Sequence, residues 1–325
     1  MPNLPWPYVA LISGIIGFTF GAPTLRLAHL NGMTTEAMIA LRLLLAVLIL
    51  TPLVFLRHRH ELRNLTRSDV GLTAAAGAVL TLHLLLVVES LRYTTIVFNQ
   101  VLVNTGPIWV ALLEVLALRA RFGRQVWLGL TVAISGSGIL LLYSALQGTA
   151  IGGPDMLMGN VMALISAMVA SVYVVLGRSI RQKVSFLPYI WLLFSAGGIT
   201  ALAVVFLRGL PLTGYSIEAY FWVVMVTIFP TFIGHAAFNY ALRGLSATLV
   251  TLSGQASTLT TAVAAYLVFA EVPTLGTIAG GTIIILGVII TATAQQHATP
   301  PDSPLSRSSL SAELQAEVIV SSRQR

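Results

Sequence analysis

The chain has 325 residues, of which 56% are hydrophobic and only 9% charged, with a mean hydropathy of +0.88. About a quarter of an ordinary soluble protein is charged, so this composition excludes a surface kept in water and calls for lipid around most of the molecule. The formal charge of +7 does not mark a nucleic-acid binder, because the basic residues lie in short clusters between long apolar runs, and the lack of cysteine excludes disulfides and thiolate-held metals.

About 20 apolar residues in a helix cross the hydrocarbon layer of a bilayer. Runs of that kind fall near 7–28, 35–56, 69–91, 95–118, 125–146, 157–177, 187–207, 219–242, 246–270 and 274–294. They are continuously apolar rather than alternating, which predicts helices and not barrel strands. The gaps are short and polar and leave no room for a folded soluble domain. The first run, Tyr8 to Leu27, lacks a basic approach and a small-residue cleavage site, so it is expected to be a helix rather than a removed signal.

Helix one carries Gly14, Gly17 and Gly21, a small-residue face suited to close helix contact. Helix two holds Arg42 about seven residues, or roughly 10 Å, inside its end. A charge at that depth faces the bundle interior or a water-filled cavity. His83 and Glu89 on helix three lie at similar or shallower depth, so an Arg42–Glu89 pair with His83 nearby is one expectation. Arg42 is then either a structural tether or a carboxylate-binding group.

Helix four presents Gln100, Asn104, Pro107 and Glu114 on one face, and helix nine presents Thr248, Thr251, Gln255 and Thr258. Gln100, Asn104, Thr251 and Gln255 are candidates to line a central cavity. The plainer role for such amides is hydrogen bonding between helices. Glu114, near the far end of helix four, is a candidate for proton uptake or for pairing with Arg119 or Arg121. His235 on helix eight and Glu89 are further candidates for proton coupling, with a packed neutral histidine as the alternative. Trp109, Tyr173, Trp191 and Tyr240 could stack on a cargo, or serve as packing and interface anchors. No P-loop and no dinucleotide fingerprint is present, and the histidines have no metal-ligand spacing, so neither cofactor nor metal is expected.

With the N-terminus in the cytoplasm, 14 of the 18 basic residues fall on the cytoplasmic side. Only Arg26, Arg92 and Arg208 lie outside, and Arg42 lies within a span. The bias predicts both termini cytoplasmic, although Arg26 by itself argues the other way. The tail from Gln295 to Arg325 is rich in Ser and Pro and is expected to be disordered.

A shift of 151 residues lays the second half on the first: Gly129 and Gly136 on Gly280 and Gly287, Leu91-Arg92 on Leu242-Arg243, and Asn104 on Gln255. Further upstream a shift of 153 lays Ala10-Leu11-Ile12-Ser13 on Ala163-Leu164-Ile165-Ser166. This predicts two repeats, 1–147 and 148–294, followed by the cytoplasmic tail 295–325. Five helices is an odd number, so the two repeats would insert with opposite orientations, an architecture of transporters that bind substrate near the midplane.

Four stretches carry a resemblance: "ALRLLLAVLIL" with Arg42, "NTGPIWVALLEVLAL" with Pro107, "GLTVAISGSGILLL", and "AYLVFAEVPTLGTIAGGTIIILGVII" with Glu271, Gly280 and Gly287. The chain resembles the drug/metabolite transporter superfamily, in particular its ten-helix EamA type, over about residues 7–294. Two positions depart from the pattern: Ala120 stands for the acid expected after helix four, and Thr258 for the proline expected in helix nine. The resemblance implies an all-α membrane protein of ten helices in two inverted five-helix repeats. It also implies a secondary transporter that exports small metabolites such as amino acids from a bacterial-type inner membrane. The partners expected are a small-molecule substrate and the bilayer. Alternatives are an importer or exchanger of organic anions using Arg42, an intramembrane enzyme using His83, Glu114 or His235, and a nonselective channel.

Overall fold

A computed structural model describes residues 6–118, 122–147, 155–181, 183, 185–241 and 247–298. Among them the regular elements are all helical. Helix one comprises α1 (Trp6–Thr19) and α2 (Gly21–Leu30), helix two is α3 (Thr35–Arg57) with the short α4 (Arg59–Arg63) after it, and helix three is α5 (Arg67–Ser90). Helix four divides into α6 (Ile96–Val103) and α7 (Gly106–Leu118), and helix five is α8 (Arg124–Gln147). Helices six and seven are α9 (Met156–Arg181) and α10 (Phe186–Leu207). Helix eight runs through α11 (Ile217–Val226), a π-helical segment (Thr227–Gly234) and α12 (His235–Ala241). Helices nine and ten are α13 (Ala247–Phe269) and α14 (Leu275–Ala298).

Eight of these are long and apolar enough to cross a membrane; in helices nine and ten the apolar stretches, Ala256–Phe269 and Leu275–Thr291, are shorter. Large apolar side chains such as Leu48, Leu56, Phe206, Leu207 and Leu267 are exposed along the bundle. In water such a surface would aggregate, whereas in lipid it is the solvated face. The protein is an all-α, multi-pass membrane protein.

Prolines place the irregular segments. Pro107 has no N–H and clashes with the preceding turn, so helix four stops at Val103 and restarts at Gly106. Thr105 in the gap donates its hydroxyl to the Leu102 carbonyl at 2.6 Å, capping the broken turn. At the 151 shift helix nine has Ser257 and Thr258 in place of Gly106 and Pro107, and α13 runs unbroken. The π segment of helix eight encloses Pro230.

Glycines set the closest approaches. A side chain on Gly17 would come within 2.6 Å of the Gly234 backbone, and one on Gly14 would strike Phe238, so the glycine face of helix one packs against helix eight. Helices five and ten meet as closely: Gly129 lies against Gly287 and Thr291, and Gly136 against Ile283, Ile284 and the partner glycine Gly280.

The helix contacts come in reciprocal pairs. Helix three packs on helix six and helix one on helix eight; helix four packs on helix six and helix one on helix nine; helices two and seven, and five and ten, pack directly on each other. Polar ties close both ends of the bundle. At the end bearing Glu36, Arg208 pairs with Glu36, Arg92 with Glu89, and the Thr34 and Tyr215 hydroxyls meet at 3.1 Å. Arg26 there pairs with Glu271, which also accepts the Ile96 N–H at 2.9 Å, and Arg26 donates to the Leu91 and Thr94 carbonyls. At the end bearing Glu61, Ser185 donates its N–H to Glu61 at 2.6 Å and Lys183 pairs with Asp69.

Candidate functional site in the centre of the bundle

Arg42 leaves α3 about two turns from Thr35 and reaches across to helix eight, where its Nε and Nη2 donate to the Thr231 hydroxyl at 3.2 and 3.0 Å. Thr231 sits in the π segment and passes its own proton to the Val226 carbonyl at 3.3 Å, a link five residues back that the wider π turn supplies. One hydroxyl therefore receives two guanidinium N–H groups while remaining neutral.

His83 on α5 is within electrostatic reach of Arg42. Its Nδ1 contacts the Ser166 carbonyl on α9 at 2.9 Å. A carbonyl only accepts, so Nδ1 carries the proton and Nε2 is left as the ring's acceptor when the ring is neutral. The Tyr173 ring, also on α9, lies 5.9 Å from the His83 ring, and His235 at the start of α12 meets the Phe18 ring edge-on at 4.9 Å. The charge of Arg42 is felt at His83, Tyr173 and His235. Arg42, His83 and Tyr173 are only partly buried and His235 is exposed, although neighbouring helices flank them all. Polar groups placed in mid-helix among neighbouring helices mark a polar centre of the bundle.

The acids are elsewhere. Glu36, Glu89 and Glu271 lie at one end of the bundle and Glu61 and Asp69 at the other, each with a basic or hydroxyl partner, while Asp155 and Glu218 stand at helix starts. Among the described residues no carboxylate lies within ion-pair distance of Arg42. The Arg42–Glu89 pair of the sequence reading does not form: Glu89 accepts from Thr35 at 2.6 Å and from Arg92 at 2.9 Å instead. Arg42 sits one helical layer away from that network.

The amide stripes fall partly into view. Asn104, at the helix-four break, donates its amide to the Thr258 hydroxyl of helix nine at 2.7 Å. The break and its unbroken counterpart are thus tied directly, the helix-to-helix role weighed for these amides. Gln100 is partly buried on α6, and Trp109 donates its indole N–H to Thr105 at 3.0 Å. Tyr240 is exposed on α12. Thr251 and Gln255 on α13 and Glu114 on α7 lie on described helices, but their side chains lie outside the described residues. Thr231, the direct partner of Arg42, escaped the sequence reading; Pro230 beside it was the available signal.

An opening of about 620 Å³ lies at the Glu36 end, with His29, Thr35, Glu36, Glu89, Arg92 and Arg208 in its wall. Its charges are paired among themselves, and His29 contacts Thr35 at 2.8 Å.

With this geometry in place, the relatives of the chain can be compared. The description "EamA-like transporter family" matches residues 5–142 and again residues 157–293. The chain belongs to the EamA-like transporter family. The EamA chain is 30% identical over 197 residues to the Bacillus subtilis protein named "Uncharacterized transporter YdfC", covering 59% of this chain and 61% of that one. It is 27% identical over 211 residues to an "Uncharacterized transporter" of Archaeoglobus fulgidus, covering 64% of this chain and 70% of that one. The matched stretch thus spans less than two thirds of the Bacillus relative. A crystal structure at 17% identity superposes with a TM-score of 0.59 over 90% of this chain and 99% of its own, a likeness of fold.

Proposed function

We propose that this EamA protein is a secondary transporter that exports small metabolites such as amino acids across a bacterial-type inner membrane by alternating access. The observation that carries the reading is the composition of the central site. Arg42 and His83 come from the first five helices, and Tyr173, Thr231 and His235 from the second five. A site shared in this way changes shape whenever the two sets of helices rock against each other, which is the requirement for alternating access.

Two further features support a pseudo-twofold between repeats 1–147 and 148–294. The reciprocal helix contacts map onto themselves when each helix is exchanged for its counterpart five places on. The glycines behave likewise: Gly129 meets Gly287 and Gly136 meets Gly280, the cross-pairing that a twofold imposes on two equivalent helices. The end bearing Glu61, flanked by Arg57, Arg59, Arg63, Arg67 and Lys183, is proposed as the cytoplasmic face, with both termini on that side.

The test is counterflow in proteoliposomes preloaded with unlabelled compounds, using labelled amino acids, organic acids and organic cations outside. The expected outcome is saturable accumulation of one class. Flux that never saturates would indicate a channel, and product formation by detergent-solubilised protein with no second compartment would indicate an enzyme.

A further inference from the structure

The centre of the bundle holds a fixed positive charge with no negative counterpart among the described residues, and we infer that its occupant is a small monocarboxylate or zwitterion whose carboxylate docks on Arg42. The inference rests on the transport reading above and narrows it to a charge class.

A guanidinium inside a bundle is costly unless something offsets its charge. Arg42 meets only the hydroxyl of Thr231 among the described residues, which satisfies two N–H groups and neutralises nothing. Its charge also reaches two imidazoles and a phenol. None is a carboxylate, and the acids whose side chains are described are held at the two ends of the bundle.

Contrast another partly buried arginine of the bundle. Arg26 has a carboxylate partner in Glu271 as well as two backbone carbonyls and the face of Phe269, so its donors and its charge are both accounted for. Arg42 has donors left over beyond those given to Thr231, and its side chain is not fully buried. A guanidinium offers a planar fork of N–H groups that matches a carboxylate in two parallel hydrogen bonds. With one cation present, one negative charge completes the site; a phosphate dianion would call for more. The phenol of Tyr173 adds a donor for the carboxylate, and the aromatic walls of Tyr173 and Phe18 suit the apolar remainder of the molecule.

In this arrangement Thr231 is a placeholder. It holds the guanidinium in the empty site and yields it to the incoming carboxylate. That separates the proposal from a purely structural tether, because removing either partner of a tether has the same effect.

The experiment uses the full chain, purified in detergent, and reads its thermal stability against increasing L-alanine, L-leucine, L-lactate and succinate. The matched controls are L-alaninamide, L-leucinamide and tetraethylammonium. At least one of the three compounds with a single carboxylate is expected to stabilise the protein more than succinate, a dianion, and more than the amides. Arg42→Gln is expected to weaken that response by roughly 30-fold or more, the factor for losing a hydrogen bond to a charged group. Arg42→Lys retains part of it. Thr231→Val keeps the response or strengthens it about twofold, since the guanidinium no longer has to leave a hydroxyl.

The proposal is overturned if no carboxylate stabilises the protein, or if amides and tetraethylammonium do so equally. It is also overturned if Thr231→Val and Arg42→Gln lose the response together. Binding without counterflow would refute the transport reading and leave the anion site standing. Counterflow of tetraethylammonium that survives Arg42→Gln would do the reverse.

Discussion

At the scale of single residues, identity matters most where the backbone leaves no room. Gly287 is such a place: an added Cβ would lie 2.5 Å from the Ala133 nitrogen and 2.7 Å from the Gly129 carbonyl, both of them main chain and unable to rotate aside. Gly138, one helical face away on α8, meets nothing within 4 Å. Gly287→Ala is therefore expected to lower stability by about 1–3 kcal/mol through overpacking. Gly138→Ala is expected to be neutral or to stabilise by up to about 1 kcal/mol through helix propensity. Thermal unfolding of both variants in one detergent checks the contrast, and equal loss at the two sites would show that helices five and ten are not seated on these glycines. The glycine pattern was readable from the sequence because a missing side chain leaves a mark in the letters. Thr231 was not, since threonine is common in membrane helices, and Pro230 beside it marks an irregular turn without telling which hydroxyl a distant arginine will reach. Arg42 drew notice from depth alone, but the pairing with Glu89 that its depth allowed does not form: Glu89, on helix three, lies nearer the end of the bundle, and the partner is Thr231 on helix eight.

At the scale of elements, eight of the apolar runs coincide with helices long enough to cross a membrane and the last two with shorter apolar helices, because burial in lipid demands continuous hydrogen-bonded helix whatever the neighbours are. Interruptions within the runs were harder to see. The Pro107 break was flagged only as a family proline, and the π segment at Thr227–Gly234 was read through as helix, since a proline ring does not announce whether the chain will kink, break or widen. The polar clasp at Arg26 also belongs to this scale. It joins the end of α2, the turn before α6 and the link between α13 and α14, where Ala270 takes a positive φ of 55° and sets Glu271 toward Arg26. The position equivalent to Glu271 in the first half is Ala120, so no counterpart acid is encoded there. If the clasp closes the Glu271 end, Glu271→Gln will raise the rate at which a membrane-impermeant maleimide labels a cysteine placed at Gln100, one turn below the clasp. The chain has no cysteine of its own, so the label reports that single site. An unchanged rate would mean the ion pair is ornamental to access.

For the whole molecule, the two sets of five helices are joined at both ends by polar contacts. At the Glu61 end the backbone N–H of Ser185, together with His58 and the Ser185 hydroxyl, holds the Glu61 carboxyl below the ordinary carboxylate range. A carboxyl whose folded pKa is depressed stabilises the fold above its unfolded value, and that contribution is lost as pH falls through the folded value. The difference in melting temperature between the native chain and Glu61→Gln is therefore expected to be constant at neutral pH and to vanish on acidification. A difference that grows in acid would reverse the sign. The link is exposed, so the effect is small. These ties could not be foreseen from the letters, since loops are polar for many reasons and only the folded arrangement shows which meet. The gross plan of the molecule was legible because the solvent dictates it.

The π segment of helix eight has a consequence for length variation. A π turn holds an extra residue within an otherwise α-helical course, so a one-residue deletion between Thr227 and Gly234 can be absorbed by rewinding to α-helix. The flanking pieces, Ile217–Val226 and His235–Ala241, would keep their present facing against helix one. A deletion elsewhere in the same helix would turn everything beyond it by about 100°. Helix eight thus tolerates a change of length at one place only, and it is the place that holds Thr231 against Arg42. A chain shortened there would still assemble its bundle, but its central arginine would be left to find another hand.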